Sequence, residues 1–316
     1  MARALYQRRP SPLRQDALAD LETKCPVCSQ NLIKLGLMLN SNARSPGLFA
    51  SIASLWQYRA FILGSTKREF QTKYKNSLLG FAWPIISPLA LILVYALVFS
   101  KVMGARLPGA AGEGSSGLYS YSIYLCIGVI VWTLFSELTS RAQVVFLENA
   151  NLLKKLNFPR LCLPVIVIFN AGLNFLIIFA LFTLFLLVTN NFPGYCYFAV
   201  IPLLVILVAF SIGLGMTLGV LNVFFRDIGY FYSVALQFWF WLTPIVYSTN
   251  ILPEKIRFLV SFNPLTNLLQ AFQGIFVNHQ MPDWSSLWFI CVLAVLLNIN
   301  GFRLFRKRSG EMVDLL

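Results

Sequence analysis

The sequence predicts an all-α integral membrane protein with six transmembrane helices, an N-terminal amphipathic interface helix and short external re-entrant helices between spans five and six. Three observations lead there. First, KREFQTKYKNSLLGFAWPIISPLALILVYALVF (residues 67–99) runs from a basic entry straight into an apolar segment, and residues 78–100 hold no Asp, Glu, Lys, Arg or His. At about 1.5 Å rise per residue that segment crosses the roughly 30 Å hydrocarbon core of a bilayer. Second, 58% of the chain is hydrophobic and 12% charged, with a mean hydropathy of +0.70; soluble domains carry about 25% charged residues. Third, five further apolar runs follow, which places the spans at about 78–102, 121–140, 163–188, 198–221, 230–247 and 284–302.

Residues 1–45 are of another kind, rich in Pro, Ser, Arg and Asp, without periodicity and without an apolar run of secretory type. They read as a loose cytoplasmic extension. Their one motif is Cys25-Pro-Val-Cys28, the spacing of half a zinc knuckle. One chain cannot complete a tetrahedral site with it, since the other cysteines lie in or beside spans and His279 is external, but two chains could supply four thiolates. Met38 offers an alternative start that would leave the pair outside the protein. Residues 46–77 form the expected interface helix: Ile52, Leu55, Trp56, Leu63, Phe70 and Tyr74 share an arc of about 100°, interrupted by Arg59, Lys67 and Lys73, whose long side chains can reach headgroups.

Six spans (78–304 with their connections) bring both termini to one side, and residues 305–316 form a tail. On this topology 21 of the 25 Lys and Arg lie with the termini, against Lys101, Arg106, Lys255 and Arg257 on the far side. The flanks alone, Lys67, Arg68, Lys73 and Lys75 with Arg303, Arg306, Lys307 and Arg308, give the same bias. Both termini are therefore expected in the cytoplasm. The net charge of +13 follows this topology, so it reads as orientation and anionic-lipid contact, not nucleic-acid binding.

The connections differ in character. Residues 107–117, LPGAAGEGSSG, are a flexible external loop. Residues 148–160, ENANLLKKLNFPR, mix charge with Leu152, Leu153, Leu156 and Phe158, which predicts a short amphipathic helix stopped near Pro159. Residues 221–230, LNVFFRDIGY, form the shortest cytoplasmic turn and hold Arg226 beside Asp227. Both are either docking elements or solvated turns. The external connection 248–283 contains apolar stretches at 258–262 and 265–277, each too short to span, beside Pro253, Pro264 and Pro282. That pattern predicts a helical hairpin, either re-entrant and gating or lying on the bilayer surface.

Chemistry within the membrane is sparse. There is no phosphate loop of the form G-x-x-x-x-G-K-[ST], no pair of intramembrane acids and no His cluster, so neither nucleotide hydrolysis nor metal-assisted transfer has its residues. Glu137 is the one acid inside an expected span, four residues before Arg141. Asn170 and Asn174 share a face of span three, with Gln237, Asn298 and Asn300 in later spans; such groups bond neighbouring helices or sugar hydroxyls. Gly213, Gly215 and Gly219 read as close helix packing. Span five, YFYSVALQFWFWLTPIVY, is eight-eighteenths aromatic, beyond what interfacial belts require. Its rings either pack or line a path on which pyranose faces slide.

Four blocks in order carry a resemblance over nearly the whole chain from Leu55: residues 68–99, ENANLLKKLNFPRLCLPV (148–165), LNVFFRDI (221–228), and LTPIVY with ILPEK and FNPLTNLLQAF (242–272). The chain resembles ABC transporter permeases of the polysaccharide exporter branch, which export O-antigen, capsule or teichoic acid. The resemblance implies a homodimer of six-helix subunits in the bacterial inner membrane and a separate ATPase subunit that holds the ATP and Mg; this chain itself would hold no cofactor. It implies ATPase contacts at Asn149, Leu152, Lys154, Lys155, Phe158, Arg160, Arg226 and Asp227, and an external gate at Pro253, Asn263, Pro264 and Phe272. A channel for a lipid-linked glycan would then be lined by Phe231, Tyr232, Gln237, Phe238, Trp239 and Trp241, with Tyr95 and Asn174. The chain departs from the pattern in its Cys25–Cys28 extension and in AFQGIF after Pro264, where many relatives carry a basic residue. An exporter of drugs or small lipids would share the fold; a sugar transferase lacks a candidate acid pair here, and an ion-coupled carrier would show intramembrane acids or inverted repeats.

Overall fold

The computed structural model describes residues 56, 58–74, 80–102, 119–155 and 162–315, all within the compact unit Leu55–Leu316. The expected extension with Cys25 and Cys28, and the loop at 107–117, lie outside the described residues. Every regular element among those described is helical.

In chain order these are α1 (Arg59–Tyr74), α2 (Trp83–Tyr95), α3 (Ser120–Glu148), α4 (Ala150–Lys155), α5 (Cys162–Val188), α6 (Val200–Phe224), α7 (Asp227–Leu242), α8 (Glu254–Ser261), α9 (Pro264–Asn278) and α10 (Trp288–Leu315). Four helical segments are long and apolar enough to cross a membrane: Ser120–Glu148, Cys162–Val188, Gly194–Phe224 and Trp284–Arg308. A shorter apolar helix covers Trp83–Phe99. They coincide with expected spans two, three, four, six and one.

Local sequence explains the breaks. Pro84 sits in the first turn of α2, where its missing N–H has no partner to lose. Beyond Tyr95 the helix widens into a π-turn, Ala96–Val102, and the Ser122 hydroxyl donates to the Tyr95 carbonyl at the junction (3.1 Å). α7 begins at Asp227 and stops at Leu242, several residues short of the expected end at 247. The cause is Pro244: it lacks an N–H and drives the preceding Thr243 out of the helical region, to φ −98°, ψ 134°. At the other extreme, the expected tail at 305–316 is helix, because α10 continues unbroken to Leu315.

Between apolar helices in lipid, close packing takes over the role that water exclusion plays in soluble cores. α6 is the central helix here, flanked by α10 and α3. Gly215 and Gly219 let the α3 backbone come close: a Cβ at Gly219 would lie 2.6 Å from the Ala142 carbonyl oxygen, and one at Gly215 2.5 Å from the Ala142 Cβ. α9 inserts against α3 and α6 and buries Leu268, Phe272 and Ile275 completely. It is therefore packed into the helical bundle on one face. Its partner α8 buries Val260 and exposes Ile256, Phe258 and Leu259.

α1 packs on α5 through Ile62, which meets Cys162 and Ile166. The apolar stripe read from the sequence points elsewhere, with Trp56 72% and Leu63 57% exposed. The face of α1 that packs on protein is thus a different one from the face that carries Leu63.

Candidate functional site

We define the basic end as the end carrying Arg141, Lys154, Arg226 and the last turns of α10. There α1 is latched to the bundle. Glu69, the one acid in the α1 sequence, accepts from the Arg141 guanidinium of α3 and from the Asn170 amide of α5 (2.5 Å). Arg141 also pairs with Glu137 one turn away (3.2 Å), and Glu137 accepts from Asn174 (2.8 Å). Two carboxylates, one guanidinium and two amides therefore join three helices. Beside the latch lies a cavity of about 420 Å³ lined by Ser65, Arg68, Glu69, Arg141, Glu148 and Asn149. Across the latch, between α2, α3 and α5, a groove of about 440 Å³ is lined by Trp83, Ser87, Leu91, Thr133, Asn174 and Ile178.

A second joint ties the α6–α7 turn to α3. The Asn222 amide donates to the Gln143 carbonyl (3.2 Å) and its side-chain oxygen accepts from Gly229 N–H (3.1 Å), while the Gln143 amide reaches the Gly229 carbonyl (3.4 Å). Asn222 and Gln143 are 2% and 4% exposed, so these bonds form away from water, where an unmade bond is costly. Arg226 and Asp227 stand exposed at the tip of this turn. On the other side, α3 passes through Asn149 directly into α4.

At the far end the chain breaks out of helix at residues 243–247, and its carbonyls are met by side chains. The Tyr124 hydroxyl lies 3.2 Å from the Pro244 oxygen and 2.9 Å from that of Tyr247, Tyr121 donates to Val246 (2.8 Å), and the Gln273 amide reaches Pro244 (3.4 Å). Irregular backbone that is buried, as 243–245 are, requires such satisfaction. Asn263 completes the arrangement: its oxygen caps α9 at Leu265 N–H (3.1 Å) and accepts from the Trp239 indole (2.9 Å), and its amide donates to Thr243 (2.9 Å). α9 and the end of α7 are thereby pinned at one residue.

α7 itself turns a broad aromatic face outward. Tyr230, Phe231, Phe238 and Trp241 are exposed, as is Gln237, whereas Tyr232 is 6% exposed and faces the bundle. Trp239 and Phe240 are half-buried and pack edge-on against Phe135 (5.2 Å) and Trp132 (5.6 Å) of α3. No side chain charged at neutral pH follows Asp227 within α7.

The residues singled out from sequence thus fall into several places. Phe231, Gln237, Phe238 and Trp241 share the open face; Tyr232 and Trp239 lie behind it. Tyr95 is half-buried beside the π-turn, and Asn174 is bonded to Glu137 at the edge of the groove. Asn149 and Lys154 sit at the α3–α4 end, where Lys154 is exposed. Leu152 and Lys155 lie on α4 with side chains that are not described, and Phe158 and Arg160 fall outside the described residues. Pro253 and Asn263 precede α8 and α9, Pro264 opens α9, and Phe272 is fully buried. Sequence reasoning missed the Tyr121–Tyr124 pair, Gln143, Asn222 and the anchoring role of Glu69. The Tyr-x-x-Tyr spacing was visible, but its carbonyl partners are more than a hundred residues away.

Known proteins place this arrangement. The chain is 27% identical over 252 residues to the O-antigen export system permease protein RfbA of Klebsiella pneumoniae, covering 79% of this chain and 93% of that protein. It is 27% identical over 266 residues to the RfbA of Myxococcus xanthus, covering 83% and 98%. The polysialic acid transport protein KpsM of Escherichia coli is 21% identical over 250 residues, with 78% and 92% covered. Residues 61–277, more than half the chain, match the family described as ABC-2 type transporter, and they take in the latch, the turn joint, the aromatic face and α9. The chain belongs to the ABC-2 type transporter family.

Proposed function

We propose that this chain is the permease subunit of an exporter that moves a lipid-linked polysaccharide, of O-antigen, capsule or teichoic acid type, out of the cytoplasm across the inner membrane. The observation that carries the reading is the match to export permeases over more than nine-tenths of their own lengths. In this reading two copies form the path and a separate ATPase, holding ATP and Mg, supplies the energy. The basic end faces the cytoplasm. Six crossings result when α2 with its π-turn counts as span one and α7 as span five; the 16 residues of α7 reach about 24 Å, and the caged segment 243–247 completes the depth.

The path is uncharged and aromatic: Phe231, Gln237, Phe238 and Trp241 present the surface, with Tyr95 and Asn174 beside it and Tyr232 and Trp239 supporting it. A central charge would cost about 2.5 to 3.5 kcal/mol, and flat apolar rings hold a sugar face without strongly directional bonds, so the polymer can slide. The stroke enters at Asn149, Lys154, Arg226 and Asp227. It passes into α3 through the Asn222–Gln143 joint and reaches the external gate through Asn263.

Two measurements test this. The chain should co-purify with an ATPase subunit, and its deletion should leave lipid-linked glycan trapped inside the cell; a deletion strain with normal surface glycan removes the assignment. Arg226→Glu should weaken ATPase association about tenfold, about 1.4 kcal/mol, without loss of membrane-inserted protein. Unchanged association would take Arg226 out of the coupling surface.

A further inference from the structure

The stretch expected from the sequence to be a tail after span six is helical, with one face buried. α10 runs 13 residues beyond position 302, about 20 Å of helix, and that stretch is not polar all round. Phe305 is 6% exposed and stacks on Phe146 of α3 (5.4 Å between centroids, 23° between planes). Met312, seven residues on, is 3% exposed and belongs to the same buried cluster as Phe146 and Val223. Between them the Arg308 guanidinium lies 5.5 Å from the ring centroid of Phe224, the last residue of α6 and two before Arg226, while pairing with Glu311 (2.5 Å). The same helix packs against α4.

α10 therefore meets α4 and, through Arg308, the last residue before the α6–α7 turn, while Phe305 and Met312 are buried on the same face at helical spacing. A fully solvated tail has no physical reason to bury Phe305 and Met312 seven residues apart. Arg303 and Lys307 face outward and carry the solvated side of the helix.

We propose that residues 303–315 are a strut that holds α4 and the α6–α7 turn at the spacing an ATPase subunit engages, with Phe305, Arg308 and Met312 as its positioning residues. This rests on the functional reading above. Packing alone would leave the two connections independent, each free to yield when the partner pushes. A strut makes them one surface, so that force applied at either is carried into α3 and α6 together.

The test uses the full chain with Met312→Glu, Met312→Leu and Arg308→Ala, in nanodiscs and in complex with its ATPase. Met312→Glu should raise the hydrogen-exchange rate of 150–155 and 225–228 about tenfold and leave the transmembrane parts of α3 and α6 protected. It should also raise the ATP consumed per glycan exported, and Met312→Leu should restore both. Arg308→Ala removes an exposed side chain and so cannot unfold the bundle; it should accelerate exchange at 225–228 alone. Unchanged exchange in both variants overturns the strut, as does a general loss of protection throughout α3 and α6. If exchange responds while the unmodified chain neither binds an ATPase nor exports glycan, the strut stands as a brace and the functional reading is what fails.

Discussion

α3 and α7 are neighbours in the same bundle and opposite in character. Of the apolar window of α3, 72% is buried, and the helix is bonded at several points: to Glu69 and Asn174 through the latch, to Asn222 and Gly229 through the turn joint, and to the carbonyls of 243–247 through Tyr121 and Tyr124. α7 buries Tyr232 and leaves most of its other rings open. The path proposed above would use both kinds of helix. The loosely held one presents a surface that substrate can contact, and the tightly held one gives it something to move against.

The largest effect should come from breaking α3 away from α6. In Gly219→Val a side chain must enter where a Cβ already meets the Ala142 carbonyl at 2.6 Å. We expect a loss of about 3 kcal/mol, seen as a lowered thermal midpoint and aggregation in detergent. Next comes Tyr124→Phe, which keeps the ring and removes the hydroxyl shared by Pro244 and Tyr247. Leaving the Tyr247 carbonyl without this donor, and Pro244 with Gln273 alone, should cost about 1 to 3 kcal/mol, with proteolysis at 243–247 as the local readout. An unaltered midpoint would mean that the break is held by packing alone.

Glu69→Ala should be milder. Its side chain is 49% exposed, so the ion pair with Arg141 contributes less than about 1 kcal/mol and should fade in high salt. The comparison is sharpest at the smallest stability change: Phe238→Ala, on the open face, should alter the midpoint by no more than about 0.5 kcal/mol while slowing export of glycan. A Phe238→Ala protein that exports at the normal rate would remove this face from the path.

Much of this was legible in the chain. Length and apolarity alone delimit α3, α5, α6 and the membrane part of α10, because a bilayer imposes its thickness on any helix that crosses it. Prolines marked the hairpin of α8 and α9, and the i, i+4 pair of Glu137 and Arg141 forms as its spacing suggests. Where a helix faces was harder. Trp56 and Leu63 made the obvious stripe around α1, yet Ile62 is what packs, because the partner surface at Cys162 and Ile166 is set by how α5 approaches. The partners of Asn170, Asn174 and Asn222 are set by helix approach and leave no trace at fixed spacing. The stop at Thr243 was readable from Pro244, but a run of aromatics masked it. The strut was hidden for the converse reason: Arg303, Arg306, Lys307 and Arg308 marked orientation so strongly that Phe305 and Met312 among them went unread.

The wide turn at Ala96–Val102 carries one last consequence. A helix wound with i to i+5 bonds stores an extra residue in each ring relative to its α-helical neighbour. Converting that turn to α-helix would lengthen the segment and rotate its end relative to Tyr95. Ser122, donating to the Tyr95 carbonyl from α3, ties the neighbouring helix to the point where the wide turn begins.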